Sequence, residues 1–476
     1  MRTRFISLLA LGAFLCVSPL TLTAQAGPSL KLTTSSTQAE SEFRAGMVDR
    51  ENLSAEAAAA HFDAAVKADP AFGLARVLYA ITSPSLNRDQ KIAELNHGVA
   101  DAARGSLNEL ILAATYRESF LNHPAAAATL VRASTELMPS DRFLAFAAAQ
   151  MASRDHPLEG LREFTSRYPD YAPAFNTLAY QLWQAGDHAG ALAAAKRQAE
   201  LNGKAPNPHD SYAELLQFNG DFAAAAAHYK EAASMSPRFP EAYAGLAEIA
   251  SLQGNYDQAR SYLNQAIANA WGPQEKLDYM RAILGTYTLQ GSAADASRQL
   301  AAIAAEAKAQ NDPEAEAITY AQIATSYGAA GKAAESHRYL AMAKAASSTE
   351  PWQVYYFGTM AHALMKHWGP ANEELNALKS MSSTDPTVRT RIAAAEGFML
   401  TQQGKPADAL KVLMAADTTN DLVINRIAEA HAALGHPAEA AAWDRRITSN
   451  YQLNLANFPE INSRRRATVY LSSKPR

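Results

Sequence analysis

The fold is decided by residues 175–273, in which one pattern is written three times: FNTLAYQLWQAGDHAGALAAAKRQAELNGKAPNP (175–208), HDSYAELLQFNGDFAAAAAHYKEAASMSPRFPEA (209–242) and YAGLAEIASLQGNYDQARSYLNQAIANAWGP (243–273). Corresponding residues lie 34 positions apart. Each copy has an apolar first half, a turn and an alanine-rich second half. Self-similarity at such a period indicates a stack of small structural units rather than one globular core.

Each copy has the spacing of two helices joined by a tight turn. Apolar residues of the first half recur at spacings of three and four, which places them on one face of a helix: Phe175, Leu178, Ala179 and Leu182. A glycine then allows the left-handed backbone of a helix C-cap, and the Asp or Asn after it can accept hydrogen bonds from the next helix: Gly186-Asp187, Gly220-Asp221 and Gly254-Asn255. Small side chains let the two helices approach closely: Ala191, Ala225 and Ala259.

This arrangement resembles the tetratricopeptide repeat (TPR). The resemblance implies an all-α fold, a right-handed α-solenoid of stacked antiparallel helix pairs. One helix pair leaves an apolar face uncovered, so it is stable only when its neighbours stack on it.

The repeat extends on both sides of the regular segment, residues 172–273. Residues 40–171 are predicted to hold divergent repeats, and residues 274–450 further TPR-like copies. The turn glycines of the later copies follow Gly254 at spacings of 37, 40, 38, 35 and 31: Gly291, Gly331, Gly369, Gly404 and Gly435.

The two ends depart from the period. Arg2 and Arg4 precede an apolar run and the small-residue site Ala24-Gln25-Ala26, which indicates a secretory signal peptide over residues 1–26, cleaved after Ala26. The apolar run is too short to span a membrane. Residues 27–39 are interpreted as a flexible leader. Residues 451–476, with Arg464-Arg465-Arg466, form a basic tail that could dock on an acidic surface or remain solvated.

Composition narrows the class of protein. The only cysteine, Cys16, lies in the predicted signal peptide, so the mature chain has no thiol for a disulfide. Removing residues 1–26 removes two arginines and no acids, so 41 basic and 47 acidic residues give a net charge of −6. This acidic balance argues against a nucleic-acid partner.

Sequence motifs give no sign of catalysis. There is no His-Glu-x-x-His, no Gly-x-Ser-x-Gly and no Gly-x-x-x-x-Gly-Lys. His362 and His367 are five apart, a spacing that splays two side chains around one continuous helix. We therefore expect no catalytic residue, no metal and no cofactor.

The TPR resemblance implies that non-core positions of the first helices line a concave groove for a peptide or protein segment. In the regular copies these positions are Asn176, Tyr180, Trp183, Gln184, Asp210, Glu214, Gln217, Phe218 and Glu248. An alternative interpretation is a solvated face on which Trp183 and Phe218 pack between helices. Repeats that clamp a C-terminal carboxylate carry lysines here, whereas this chain has Tyr180, Asp210 and Glu214, so a neutral or basic segment is favoured.

We therefore predict a non-enzymatic interaction scaffold, exported to the periplasm or secreted, with no transmembrane span in the mature chain. Two alternatives stay open: an assembly or oligomerisation subunit that uses its convex or end surfaces, and an envelope hydrolase with an unrecognised site. The sequence leaves the oligomeric state open.

Overall fold

The computed structural model describes residues 32–51, 55–83, 85–137, 145–146, 148–150, 158–349, 351–381 and 385–447. Within these ranges every regular element is a helix and there is no strand. The predicted all-α class with stacked helix pairs is confirmed. The predicted signal peptide (1–26) and the basic tail (451–476) lie outside the described residues.

The first compact unit comprises the chain up to Gly245 together with Asn269–Gly272. Its helices are α1 (Thr37–Glu51), α2 (Ala55–Ala68), α3 (Gly73–Thr82), α4 (Arg88–Ala102), α5 (Leu107–Phe120), α6 (Pro124–Leu137), α7 (Glu159–Arg167), α8 (Ala172–Gln184), α9 (His188–Leu201), α10 (Pro206–Asn219) and α11 (Phe222–Met235), and the chain then enters α12 (Pro240–Leu252). Consecutive helices pair as hairpins, α1 with α2, α3 with α4, α5 with α6, α8 with α9 and α10 with α11.

The second compact unit comprises residues 246–268 and the chain from Pro273 onward. Its further helices are α13 (Tyr256–Ala268), α14 (Pro273–Gln290), α15 (Ala293–Ala309), α16 (Pro313–Ala329), α17 (Ala333–Ala346), α18 (Trp352–Leu364), α19 (Trp368–Ser380), α20 (Pro386–Gln402), α21 (Pro406–Met414), α22 (Asp421–Ala433) and α23 (Pro437–Ile447). Here the first helices of successive hairpins also stack, α16 on α18, α18 on α20 and α20 on α22.

The turns between paired helices use left-handed glycines. Gly186, Gly220 and Gly254 have φ of 84°, 92° and 79°. The alanines at the helix crossings, Ala191, Ala225 and Ala259, are fully buried. Of the expected capping acids, Asp187 accepts from the Gly190 amide at 2.9 Å. Asp221 caps no amide with its side chain and instead accepts from Asn219 Nδ2 at 2.9 Å, which corrects the expectation for this turn.

One predicted turn is displaced. Gly369 was expected to end a first helix, but it lies inside α19 and does not have a positive φ. The turn is made three residues earlier by Lys366, whose φ is 60°. A non-glycine residue occupies the left-handed conformation here, so a search for glycines finds the wrong position.

The described part of the predicted leader is attached to the first unit. The Thr33 amide donates to Glu109 Oε1 at 2.9 Å, and the Thr34 hydroxyl donates to Asp69 Oδ2 at 2.6 Å. Helix α1 begins at Thr37, inside the segment assigned to the leader. None of the described helices is long and apolar enough to cross a membrane.

Candidate functional site

The nine residues predicted to face a ligand are mostly buried. Eight of them lie on α8 and α10 of the first unit, and Glu248 lies on the part of α12 that belongs to the second unit. Gln184 is exposed and Asn176 and Tyr180 are half-buried. The other six are buried: Trp183, Asp210, Glu214, Gln217, Phe218 and Glu248. The nine side chains therefore do not form one accessible groove surface. Ligand binding at these positions stays a prediction.

Polar side chains link α8 to α10, the first helices of two successive repeats. Asn176 Nδ2 donates to Ser211 Oγ at 3.1 Å, and the Tyr180 hydroxyl donates to Glu214 Oε2 at 2.5 Å. The second bond is the shorter of the two. These bonds explain the partial burial of Asn176 and Tyr180, because each side chain reaches toward the following first helix.

The two aromatic residues predicted for the groove contact each other. The ring centroids of Trp183 and Phe218 are 5.7 Å apart, and the Trp183 ring also stacks on His188 at 4.0 Å with an interplanar angle of 14°. Their exposed fractions are 6% and 8%. They therefore pack between neighbouring helices, the alternative that the sequence left open.

Gln217 belongs to a second buried contact that the pattern did not indicate. The Tyr229 hydroxyl donates to Gln217 Oε1 at 3.2 Å, within the hairpin of α10 and α11. The ring of Tyr229 lies over Gly245, where an added Cβ would be 2.2 Å from the Tyr229 Cζ. A glycine is needed here because any side chain would occupy the space of the ring.

Two groups of side chains could hold a metal ion within the described part of the chain. The first is a histidine cluster of the second unit, His337, His362 and His367, with ring centroids 5.3–6.3 Å apart. The expectation that His362 and His367 are splayed around one helix is wrong. Helix α18 ends at Leu364, and the left-handed turn at Lys366 brings His367, which directly precedes α19, back toward His362.

His362 is the buried member of this histidine cluster. Its exposed fraction is 8%, and its Nδ1 has no hydrogen-bond partner among the described residues. Burial, and to a smaller extent His337 and His367, lowers the pKa of His362 from 6.5 to about 4. The imidazole is therefore neutral at neutral pH.

The second group, His209, His228 and Glu231, lies in the first unit on α10 and α11. The sequence analysis did not identify this group, because its two histidines lie on different helices and share no motif. The available signal was weak: His228 and Glu231 are three apart on one helix, a spacing that places both side chains on the same face.

A comparison with known protein families matches one part of the chain. Residues 219–272 match the model described as "Tetratricopeptide repeat". This segment includes the end of α10, all of α11, α12 and α13, and the chain that follows. No curated protein matches the chain.

Solved structures similar to this chain include several repeat proteins. A tetratricopeptide repeat protein from Parabacteroides merdae has a TM-score of 0.34 and 13% identity, over 60% of this chain and 97% of that chain. PilF of Pseudomonas aeruginosa has a TM-score of 0.32 and 14% identity, over 45% of this chain and 93% of that chain. YrrB, described as a TPR protein with an unusual peptide-binding site, has a TM-score of 0.28 and 14% identity, over 41% of this chain and 96% of that chain.

Within residues 219–272, the paired helices and the left-handed glycines Gly220 and Gly254 agree with the tetratricopeptide-repeat match to that segment.

Proposed function

We propose that the chain is an exported, non-enzymatic interaction scaffold that binds a neutral or basic protein segment on the face of its first helices. This proposal is based on the hydrogen bonds that link α8 to α10. Asn176 and Tyr180, which donate these bonds, are half-buried, and the acceptor Glu214 is buried. Stacked repeats present such positions on neighbouring helices, and extended segments can lie across them.

Two buried acids of α10 favour one kind of segment. Asp210 and Glu214 place two carboxyl groups on α10, and Tyr180 donates to the second of them. Carboxylates attract lysine and arginine side chains and repel a terminal carboxylate. A basic or neutral segment therefore fits this face better than the acidic C-terminus of a partner.

Export is supported by the sequence of residues 1–26. We expect the protein recovered from the envelope or secreted fraction of its native host to begin at Gly27, because the small-residue site precedes it. N-terminal sequencing of that protein checks this. Recovery of a chain that begins at Met1 in the cytoplasmic fraction would contradict export.

The binding face can be tested with two matched charge insertions. Gln184→Arg adds a positive charge at an exposed position of α8, and Ala193→Arg adds the same charge at an exposed position of α9, the second helix of the same hairpin. We expect Gln184→Arg to weaken capture of a crosslinked partner by about tenfold, since like charges oppose a basic segment. We expect Ala193→Arg to leave capture unchanged.

The measurement is quantitative crosslinking and pull-down from the envelope fraction, with unchanged helical circular dichroism as the control for folding. Loss of capture with Ala193→Arg but not with Gln184→Arg would contradict binding at the first helices. That outcome, joined by a change of sedimentation coefficient, would instead support an assembly subunit that uses its outer surface.

A further inference from the structure

Three metal-ligating atoms meet in the hairpin of α10 and α11. His209 Nδ1 lies 3.2 Å from His228 Nδ1 and 3.1 Å from Glu231 Oε2, and His228 Nδ1 lies 3.4 Å from the same carboxylate oxygen. Each of the three atoms is thus within 3.4 Å of the other two. We call His209, His228 and Glu231 the α10–α11 triad.

The hairpin places these residues together. His209 is in the first turn of α10, whereas His228 lies at the middle of α11 and Glu231 in its second half. The start of one antiparallel helix lies beside the end of its partner, so these positions face each other. His228 and Glu231 are three apart, which turns both side chains toward His209.

If both histidines of the triad are neutral, they do not carry enough protons to place a hydrogen in each contact. His209 Nε2 lies 3.1 Å from the carbonyl oxygen of Gly203, which can only accept, so the proton of a neutral His209 is on Nε2. Its Nδ1 then presents a lone pair to a carboxylate oxygen that also has only lone pairs. One proton on His228 Nδ1 leaves this 3.1 Å contact between His209 and Glu231 without a hydrogen. A second proton on His209 would fill that one contact, whereas a cation at the centre of the triad satisfies all three atoms at once.

The separations match the geometry of a bound metal ion. Zinc is bound at about 2.0–2.1 Å by histidine nitrogen and about 2.0–2.2 Å by carboxylate oxygen, so neighbouring ligand atoms of a tetrahedral site are roughly 3.3 Å apart. The triad has 3.1, 3.2 and 3.4 Å. The histidine cluster of α17–α19 is the other such group among the described residues, with its ligand atoms within 4.8 Å of one another.

The surroundings also suit a metal ligand. A ligating histidine usually donates its other ring N–H to a carbonyl or carboxylate, as His209 does to Gly203. His209 is buried while almost half of the Glu231 side chain is exposed, so the site has a protein side and an open side.

We propose that the α10–α11 triad binds one divalent transition-metal ion of the zinc type, through His209 Nδ1, His228 Nδ1 and Glu231 Oε2, with a fourth position open to water or to a donor from a partner. Imidazole together with carboxylate selects zinc-like ions over magnesium or calcium, which prefer oxygen ligands alone. The site shares helix α10 with the proposed binding face but uses none of the residues assigned to that face.

The test is a Zn²⁺ titration by calorimetry on the full mature chain, stripped with chelator and prepared without a polyhistidine tag. His337→Leu serves as the background, because it removes one corner of the histidine cluster of α17–α19. In this background we expect one equivalent of Zn²⁺ to bind. Co²⁺ should bind at the same stoichiometry and give the visible d–d absorption of a tetrahedral site.

Added to this background, His228→Gln should abolish that equivalent or weaken it by more than about 100-fold, since even outer-shell partners contribute 10–100-fold to metal affinity. His436→Gln, the same change at an exposed histidine of the second unit, should leave it intact. Absence of Zn²⁺ binding in the His337→Leu background would overturn the proposal. So would equal binding after His228→Gln with unchanged circular dichroism.

Discussion

Gly73→Ala should destabilise the first unit by about 3 kcal/mol, which is at the upper end of the cost of overpacking. Gly73 begins α3, where a Cβ would lie 2.3 Å from the amide nitrogen of Ala102 and 2.3 Å from the carbonyl oxygen of Gly98, both on α4. Neither atom belongs to a side chain that could rotate away. The two helices would have to separate, and the apolar contacts of their hairpin would be lost.

Gly369→Ala is the matched control. Gly369 lies in the first turn of α19, and an added Cβ would meet no atom within 4 Å. The same substitution should there stabilise the chain by about 0.4–1 kcal/mol, because alanine restricts the unfolded backbone. Urea denaturation followed by circular dichroism measures both effects. Equal effects of the two substitutions would show that the close contact of α3 and α4 is not what constrains Gly73.

The second large effect is a loss of stability on mild acidification that originates in His362. The folded-state pKa is about 4 and the ordinary value is 6.5. Between these values the unfolded chain binds a proton that the folded chain does not, so the free energy of unfolding falls as pH falls through this window. Above pH 6.5 the effect is absent, and below pH 4 it is complete. Its full size is about 3 kcal/mol, at about 1.36 kcal/mol per pKa unit between 6.5 and about 4.

His362→Leu isolates this contribution. The charged or titratable groups that act on His362 are His337, His367 and Lys344, and all three are retained in the variant. The difference in unfolding free energy between the wild-type protein and the variant should therefore shrink or change sign from pH 7 to pH 4.5, in favour of the variant. A difference that stays constant over this range would show that His362 titrates normally in the folded protein.

Much of the architecture could be predicted from the sequence because it depends on local patterns. The spacing of Phe175, Leu178 and Leu182 produces one apolar helical face, and the glycine after it produces the left-handed turn observed at Gly186. Repetition of that pattern implies hairpins that bury each other. Where a turn lacks glycine, as at Lys366, the glycine pattern predicts the turn at Gly369 instead. His367 is then assigned to the preceding helix, although it lies between that helix and α19.

The candidate sites were less accessible to sequence reasoning, because they depend on contacts between helices. A first-helix position such as Phe218 has the same sequence signature whether it faces solvent or, as observed, the ring of Trp183. Glu214 is buried where the Tyr180 hydroxyl of the preceding hairpin donates a hydrogen bond to it.

Local sequence signals are enough to predict the helical class, the pairing of helices and most of the turns. These signals are the period of apolar residues and the glycines that end helices, and both lie within one repeat. Which polar residues are buried, and which of them contact each other, depends instead on how the helices pack. His209 and Glu231 are 22 positions apart, and only the antiparallel packing of α10 on α11 brings their ligand atoms to 3.1 Å.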